Sequence, residues 1–212
     1  MRLYINSGKH ASRKIDQRIS EIEKNVSSPD VVFTEDSVRK PTLREYGSTF
    51  ALAPLLVGTM ILWGKVVLPA VQLAFEKDKK IEQHLEMEYG ADIVPTDAPA
   101  LELIQDESKL WSMSNWISLG LIGLIVLETG VLNEYLFVFT LLFGFGSSLF
   151  LAFLAGNQYA RNSHIAERIQ SHSEKYDEAV LVTGGEHQQG ITELLHSSDA
   201  VFVENSSQSS QQ

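Results

Sequence analysis

The sequence predicts an α/β fold: a small, mainly parallel sheet flanked by helices and interrupted by an inserted transmembrane helical hairpin. Three observations carry this. Short runs rich in Val, Ile and Phe alternate with segments of helical periodicity, as in a parallel sheet covered by helices. Two long apolar runs lie close together between residues 114 and 156, the first with Glu128 as its single charge and the second, Tyr135 to Gly156, with none. Charged residues collect in the first 47 positions, from Glu76 to Lys109, and after Arg161.

Along the chain, residues 1–47 supply the first part of the α/β domain. RLYIN (2–6) reads as a strand. His10 to Asn25 carries Ile15, Ile19 and Ile22 at helical spacing, Pro29-Asp30 breaks it, and VVFT (31–34) is a second strand. Residues 48–75 form a hydrophobic, membrane-associated or re-entrant segment, with Lys65 inside it and Pro54 and Pro69 on either side. The middle part of the domain, 76–110, holds a helix to Tyr89, a turn at Gly90, the strand ADIVPT (91–96) and a helix beginning near Pro99. After the hairpin, 157–204 completes the domain. It holds a helix to His172 with Ile165, Ala166 and Ile169 on one face, the strand AVLVTGG (179–185), a short helix from Ile191 to His196, and the strand AVFVE (200–204). The polar tail 205–212 is expected to be disordered.

A span needs roughly 20 apolar residues; the second run meets that outright, and the first, Trp116 to Leu132, meets it with Ser114 and Asn115 included. The short link Leu132-Asn133-Glu134-Tyr135 makes the pair antiparallel, and Trp111, Trp116 and Tyr159 stand at the ends, where aromatic belts form. Parity then bears on 48–75. If the flanking segments build one domain they share one side of the membrane, and a further single crossing would separate them, so a non-crossing segment is expected. Basic residues fill the flanking segments and avoid the hairpin turn, which predicts a multi-pass cell-membrane protein with its soluble domain in the cytoplasm.

Composition narrows the chemistry. The net charge of -10 argues against nucleic acid as a partner. The absence of cysteine removes disulfides, thiolate metal sites and a cysteine nucleophile. The expected partners are membrane lipid, a peptide or protein substrate, and a second copy of the chain in a homo-oligomer.

The strand ends carry the candidate site. Strand one runs into Ser7-Gly8-Lys9-His10, strand two into Glu35-Asp36, strand three into Thr96-Asp97, and strand four into Gly184-Gly185-Glu186-His187. Ligands of open parallel sheets bind beyond the carboxyl ends of the strands. Two histidines with carboxylates suit a divalent metal, which can generate hydroxide near neutral pH. Taken singly, each acidic residue is equally a helix cap and each glycine a turn residue. His84, His164, His172 and His196 fall on predicted helices and are expected at the surface.

These residues carry a family resemblance. Arg161, Ala166 and Ile169, the strand AVLVT, Gly184 with His187, and the pair Gly190-Ile191 resemble the last block of the TraB/PrgY family, related to the Tiki proteases. YINSGKH resembles that family's first strand and G-x-x-H, PDVVFTE its Pro-Asp-strand-Glu, and EMEYGADIVPTD the segment before its third strand. The resemblance implies a membrane-anchored, metal-dependent hydrolase of the peptidase type. His10, Glu35 and His187 would then hold Zn, Mn or Co, Glu186 or Asp97 would serve as a base or supporting group, and Arg161 would hold a substrate carboxylate. The alternative is a catalytically inactive peptide-binding or membrane scaffold protein.

Overall fold

The computed structural model describes residues 1–8, 15–67, 69, 78–129, 134–196, 198 and 200–205. His10, part of the 48–75 stretch, residues 130–133 at the hairpin link and the tail from 206 lie outside them. The chain divides into two compact units. One comprises the described residues of Met1–Val38, Ala70–Ala98 and Gln158–Gln212, the other those of Arg39–Pro69 and Pro99–Asn157.

The first unit is the expected α/β fold. Its strands are β1 (Arg2–Gly8), β2 (Val31–Ser37), β3 (Asp92–Asp97), β4 (Glu178–Gly184) and β5 (Phe202–Asn205). Among the described residues they form one sheet in the order β3-β2-β4-β1-β5, every pair parallel. β4 therefore lies between the two strands of the first 38 residues.

Alternation along the strands sorts the core onto two faces. Leu3, Ile5, Phe33 and Leu181 face one side, with Ile165 and Ile169 of α8 (Gln158–Ser171) and Ile191 and Leu195 of α9 (Gly185–Leu195). Tyr4, Val32, Val180 and Val182 face the other, with Ile15 and Ile22 of α1 (Ile15–Asn25) and Ile81 and Leu85 of α4 (Lys79–Tyr89). Both faces are covered, which explains why the strands read as continuous apolar runs.

The order β3-β2-β4-β1-β5 means that successive connections run one way as far as β3 and then reverse. Parallel crossovers keep one hand, so a reversal moves the helices to the opposite face. The division of α1 and α4 from α8 and α9 follows. β4 thus sends its helix to one face while its neighbours β1 and β2 send theirs to the other, which makes its carboxyl end the switch point of the sheet.

The helix expected at Ile191 begins six residues earlier, at Gly185. Sequence reasoning ended the strand at Gly185. Gly184 does end β4 and, in extended conformation, is also the N-cap of α9, whereas Gly185 is already the first helical residue. Gly190 lies inside the helix because a Cβ there would collide with the Asn162 side-chain amide on α8. Glycine costs about 1 kcal/mol relative to alanine inside a helix, and here it permits α8 and α9 to approach closely.

The second unit enters the chain after β2 and again after β3. Its first stretch forms α2 (Leu43–Leu52), α3 (Pro54–Leu62) and a π turn (Trp63–Val67). Thr42 and Glu45 make a capping box on α2. Pro54 takes the first position of α3, where a missing N–H costs little. One of the N–H groups left without a partner at that helix start, on Leu56, donates to the buried Asn115 Oδ1 at 2.9 Å. The charged segment 43–47, expected within the α/β domain, thus belongs to the apolar unit, as does α5 (Ala100–Asp106).

α6 (Ser108–Thr129) and α7 (Tyr135–Gly156) form the hairpin-like insertion, and each has 22 residues. At 1.5 Å per residue that is about 33 Å, enough to cross a hydrocarbon core of about 30 Å. Among the described residues these two helices are long and apolar enough to span a membrane. Gly146 of α7 receives Thr59 of α3 so closely that a Cβ would strike its hydroxyl.

Candidate functional site

The carboxyl edge of the sheet gathers a polar cluster. Its registers are Ser7 opposite Thr183, Gly8 opposite Gly184, and Ser37 opposite Asp97. The β2–β3 pairing shifts between Thr34 and Ser37. Glu35 sits in that irregularity, the kind of bulge that re-aims side chains at strand ends. Its Oε1 accepts the Gly184 N–H at 2.9 Å and the Thr183 hydroxyl. Glu35 therefore reaches across to β4 and meets the chain where α9 begins.

Asp97 and Arg161 pair with each other. Arg161 Nε donates to Asp97 Oδ2 at 2.9 Å, and its Nη2 bonds the same oxygen. The two side chains are 10% and 21% exposed, so the pair is largely desolvated. Burial works to lower the Arg161 pKa. The hydrogen bond and charge of Asp97, with the charges of Glu35 and Glu186, outweigh it and hold the guanidinium above its ordinary range. Three of the carboxylates singled out from sequence therefore lie within the field of one arginine.

His187 is buried in the first turn of α9, and its Nδ1 lies 2.6 Å from Asn162 Oδ1. An amide oxygen accepts, so Nδ1 carries the proton and Nε2 is left as the basic nitrogen. Glu186, the preceding residue, is exposed, and its carbonyl accepts from Gln158 Nε2 at 2.7 Å. Ser7 donates to Gln188 Oε1 at 2.5 Å, tying β1 to the same helix start.

A second buried polar group supports the end of β1. Arg18 donates to Asn6 Oδ1 at 2.7 Å, to the Asn6 carbonyl at 3.1 Å and to Asp78 Oδ1 at 2.6 Å. A Cβ at Gly8 would sit 3.1 Å from Arg18 Cζ, so glycine leaves room for the guanidinium beneath the strand end.

Glu35, Asp97, Arg161, Glu186 and His187 thus all stand at the carboxyl edge of one sheet. His10 lies outside the described residues. Among the described residues no three His, Asp or Glu side chains are grouped to hold a metal ion. His187 at the start of α9 and Glu35 on β2 are the residues of metal-ligand type that the sequence singled out and that stand at this edge.

Sequence reasoning missed Asn162, Thr183 and Gln188. Asn162 had a signal: it shares the buried face of α8 with Ile165, Ala166 and Ile169 at positions i, i+3, i+4 and i+7. A polar residue on an apolar face needs a partner, and His187 is that partner. Thr183 and Gln188 carried no such mark. No family model, curated protein or solved structure matches this chain.

Proposed function

We propose that the chain is a membrane-anchored, TraB-like protein whose strand-edge cluster is a metal-dependent hydrolase site of the peptidase type. The observation that carries this reading is the buried pair His187–Asn162, at 2.6 Å. Proteins commonly fix a metal-binding histidine by occupying one ring nitrogen with an oxygen acceptor and presenting the other to the ion. His187 and Glu35 are two ligands on this reading and His10 the third. A bound Zn, Mn or Co ion would supply a hydroxide nucleophile near neutral pH. Glu186 is the exposed carboxylate beside His187 and takes up a proton. Asp97 holds Arg161 in place, and the guanidinium orients a substrate carboxylate or carbonyl. The hairpin of α6 and α7 anchors the chain as a multi-pass protein, with the sheet on the cytoplasmic side.

Metal content of the purified full chain tests the reading. Stoichiometric Zn, Mn or Co is expected. It should be lost in His187→Gln and Glu35→Gln, and bound about 10–100-fold more weakly in Asn162→Ala, with the helical and sheet circular dichroism unchanged. Peptide hydrolysis should follow metal content across the series.

One observation favours a second reading, a peptide-binding scaffold without catalysis. Glu35 Oε1 is already engaged by Thr183 and Gly184, and Asp97 neutralises Arg161. Peptide binding that persists without bound metal, and without turnover, would select it.

A further inference from the structure

Lys65 is the single charged residue in the apolar stretch 48–75. It stands on the π turn Trp63–Val67, a helical irregularity that recurs at functional sites. No ion pair to Lys65 is present among the described residues. Lys65 and Gly64 line a cavity of about 520 Å³ whose other walls include Tyr46 of α2 and Val57, Met60 and Ile61 of α3. That volume lies within the roughly 300–1,000 Å³ of ligand sites. The lining is apolar, apart from this amine and the tyrosine.

The depth of the turn is set by its neighbours. The Trp63 indole N–H donates to Ser147 Oγ of α7 at 3.4 Å, and its ring centre lies 6.1 Å from that of Phe150. Phe150 precedes the end of α7 at Gly156 by six residues, about 9 Å along the axis. The π turn therefore lies beside the apolar run of a span-length helix, where a cation is costly without an anion or water in reach.

We propose that this cavity holds one acyl chain of an anionic membrane lipid, whose acidic headgroup pairs with Lys65. An apolar cavity edged by one cation that has no ion pair among the described residues is complementary to an amphiphile with one acidic end. The proposal rests on the reading that α6 and α7 cross the membrane.

Native mass spectrometry of the full chain in detergent, offered equal phosphatidylglycerol and phosphatidylcholine of matched acyl chains, tests it. The wild type should retain a single phosphatidylglycerol, favoured about fivefold, the contribution of one lysine near an acidic headgroup. Lys65→Gln should abolish the preference and Lys65→Arg keep it. Gly64→Leu should fill the cavity and lose the adduct; a side chain at Gly64 starts in open space, so this variant is expected to fold. Equal retention of both lipids by the wild type overturns the proposal and leaves Lys65 merely extended towards water. A preference untouched by Lys65→Gln and Gly64→Leu also overturns it, as does displacement of the lipid by free fatty acid at equal concentration. Membrane fractionation separates this failure from that of the anchor. A chain that fractionates with membranes yet retains no lipid refutes the cavity alone, whereas a chain soluble without detergent refutes both.

Discussion

The two units use the same apolar residue types in opposite ways. In the sheet unit Leu3, Ile5, Phe33 and Leu181 are fully buried, and both sheet faces are closed by helices. In the other unit Leu124, Leu127, Leu136, Phe139 and Leu151 are more than half exposed. Polar groups follow the reverse rule. The sheet unit exposes many charges, whereas the hairpin helices carry few, with hydroxyls such as Thr140 and Ser148 bonded back to their own helix. A fold in water hides apolar surface, while a fold in lipid must satisfy its backbone internally and can leave apolar side chains outside. The contrast teaches that one chain alternates segments that close their apolar side chains inside a core with two helices long and apolar enough to cross a membrane.

Core truncation should break this comparison most sharply. Phe33→Ala empties the middle of the sheet core and should cost about 3–5 kcal/mol. Leu124→Ala, on an exposed face of α6, should change stability by no more than about 0.5 kcal/mol in detergent. Hydrogen exchange of the β4 amides reads the first, and thermal unfolding of the solubilised chain reads both. Equal effects would mean that α6 packs against something the contrast does not include.

A smaller effect is expected at the desolvated ion pair. Asp97→Ala leaves Arg161 buried without its partner and should cost about 3 kcal/mol. Adding Arg161→Met should recover most of that, because an apolar side chain tolerates the site. Recovery in denaturant melts would assign the pair a positioning role. No recovery would mean that Arg161 serves a further partner.

The smallest effect belongs to the apolar unit's entry. Arg39, then the Thr42 backbone N–H and hydroxyl, lower the Glu45 carboxyl from its ordinary 4.5 to about 2. A depressed carboxylate stabilises the folded form fully above its unfolded pKa. That contribution is lost as pH falls from about 4.5 through about 2. The Thr42 amide, which donates to Glu45 Oε2 at 2.7 Å, should exchange faster across that window. Glu45→Gln should remove the pH dependence. Glu45 is exposed, so salt should blunt the effect.

These contrasts also explain what the sequence revealed. VVFT and AVLVT were legible as strands because buried parallel strands are continuously apolar, and the hairpin was legible because both of its helices are apolar all round over 22 residues. The start of α9 was not legible. Gly184 and Gly185 read as the end of a strand, and Gly190 as a poor helix residue until α8 is beside it; the reason for Gly190 is Asn162, a residue 28 positions away. The limits of the sheet unit were blurred for a related reason. α2 and α5 are polar enough to resemble the sheet's helices, yet they belong with the apolar unit. At the site, the residue types following each strand were readable, but the pairing of Asp97 with Arg161 depends on β3 and α8 meeting in space.

Labelling of single cysteines tests the central claim most directly, because the chain has no cysteine of its own. The sheet draws strands from three separated segments, so those segments must share one side of any membrane the hairpin crosses. Lys24→Cys, Glu88→Cys and Glu193→Cys place one exposed thiol on each segment, and Glu134→Cys places one beside the hairpin turn. With a membrane-impermeant maleimide on intact cells, Glu134→Cys alone should label, and the other three should label only after lysis. Labelling of Glu134→Cys on the same side as the other three would contradict a crossing hairpin, and a split among the three sheet positions would contradict the single sheet.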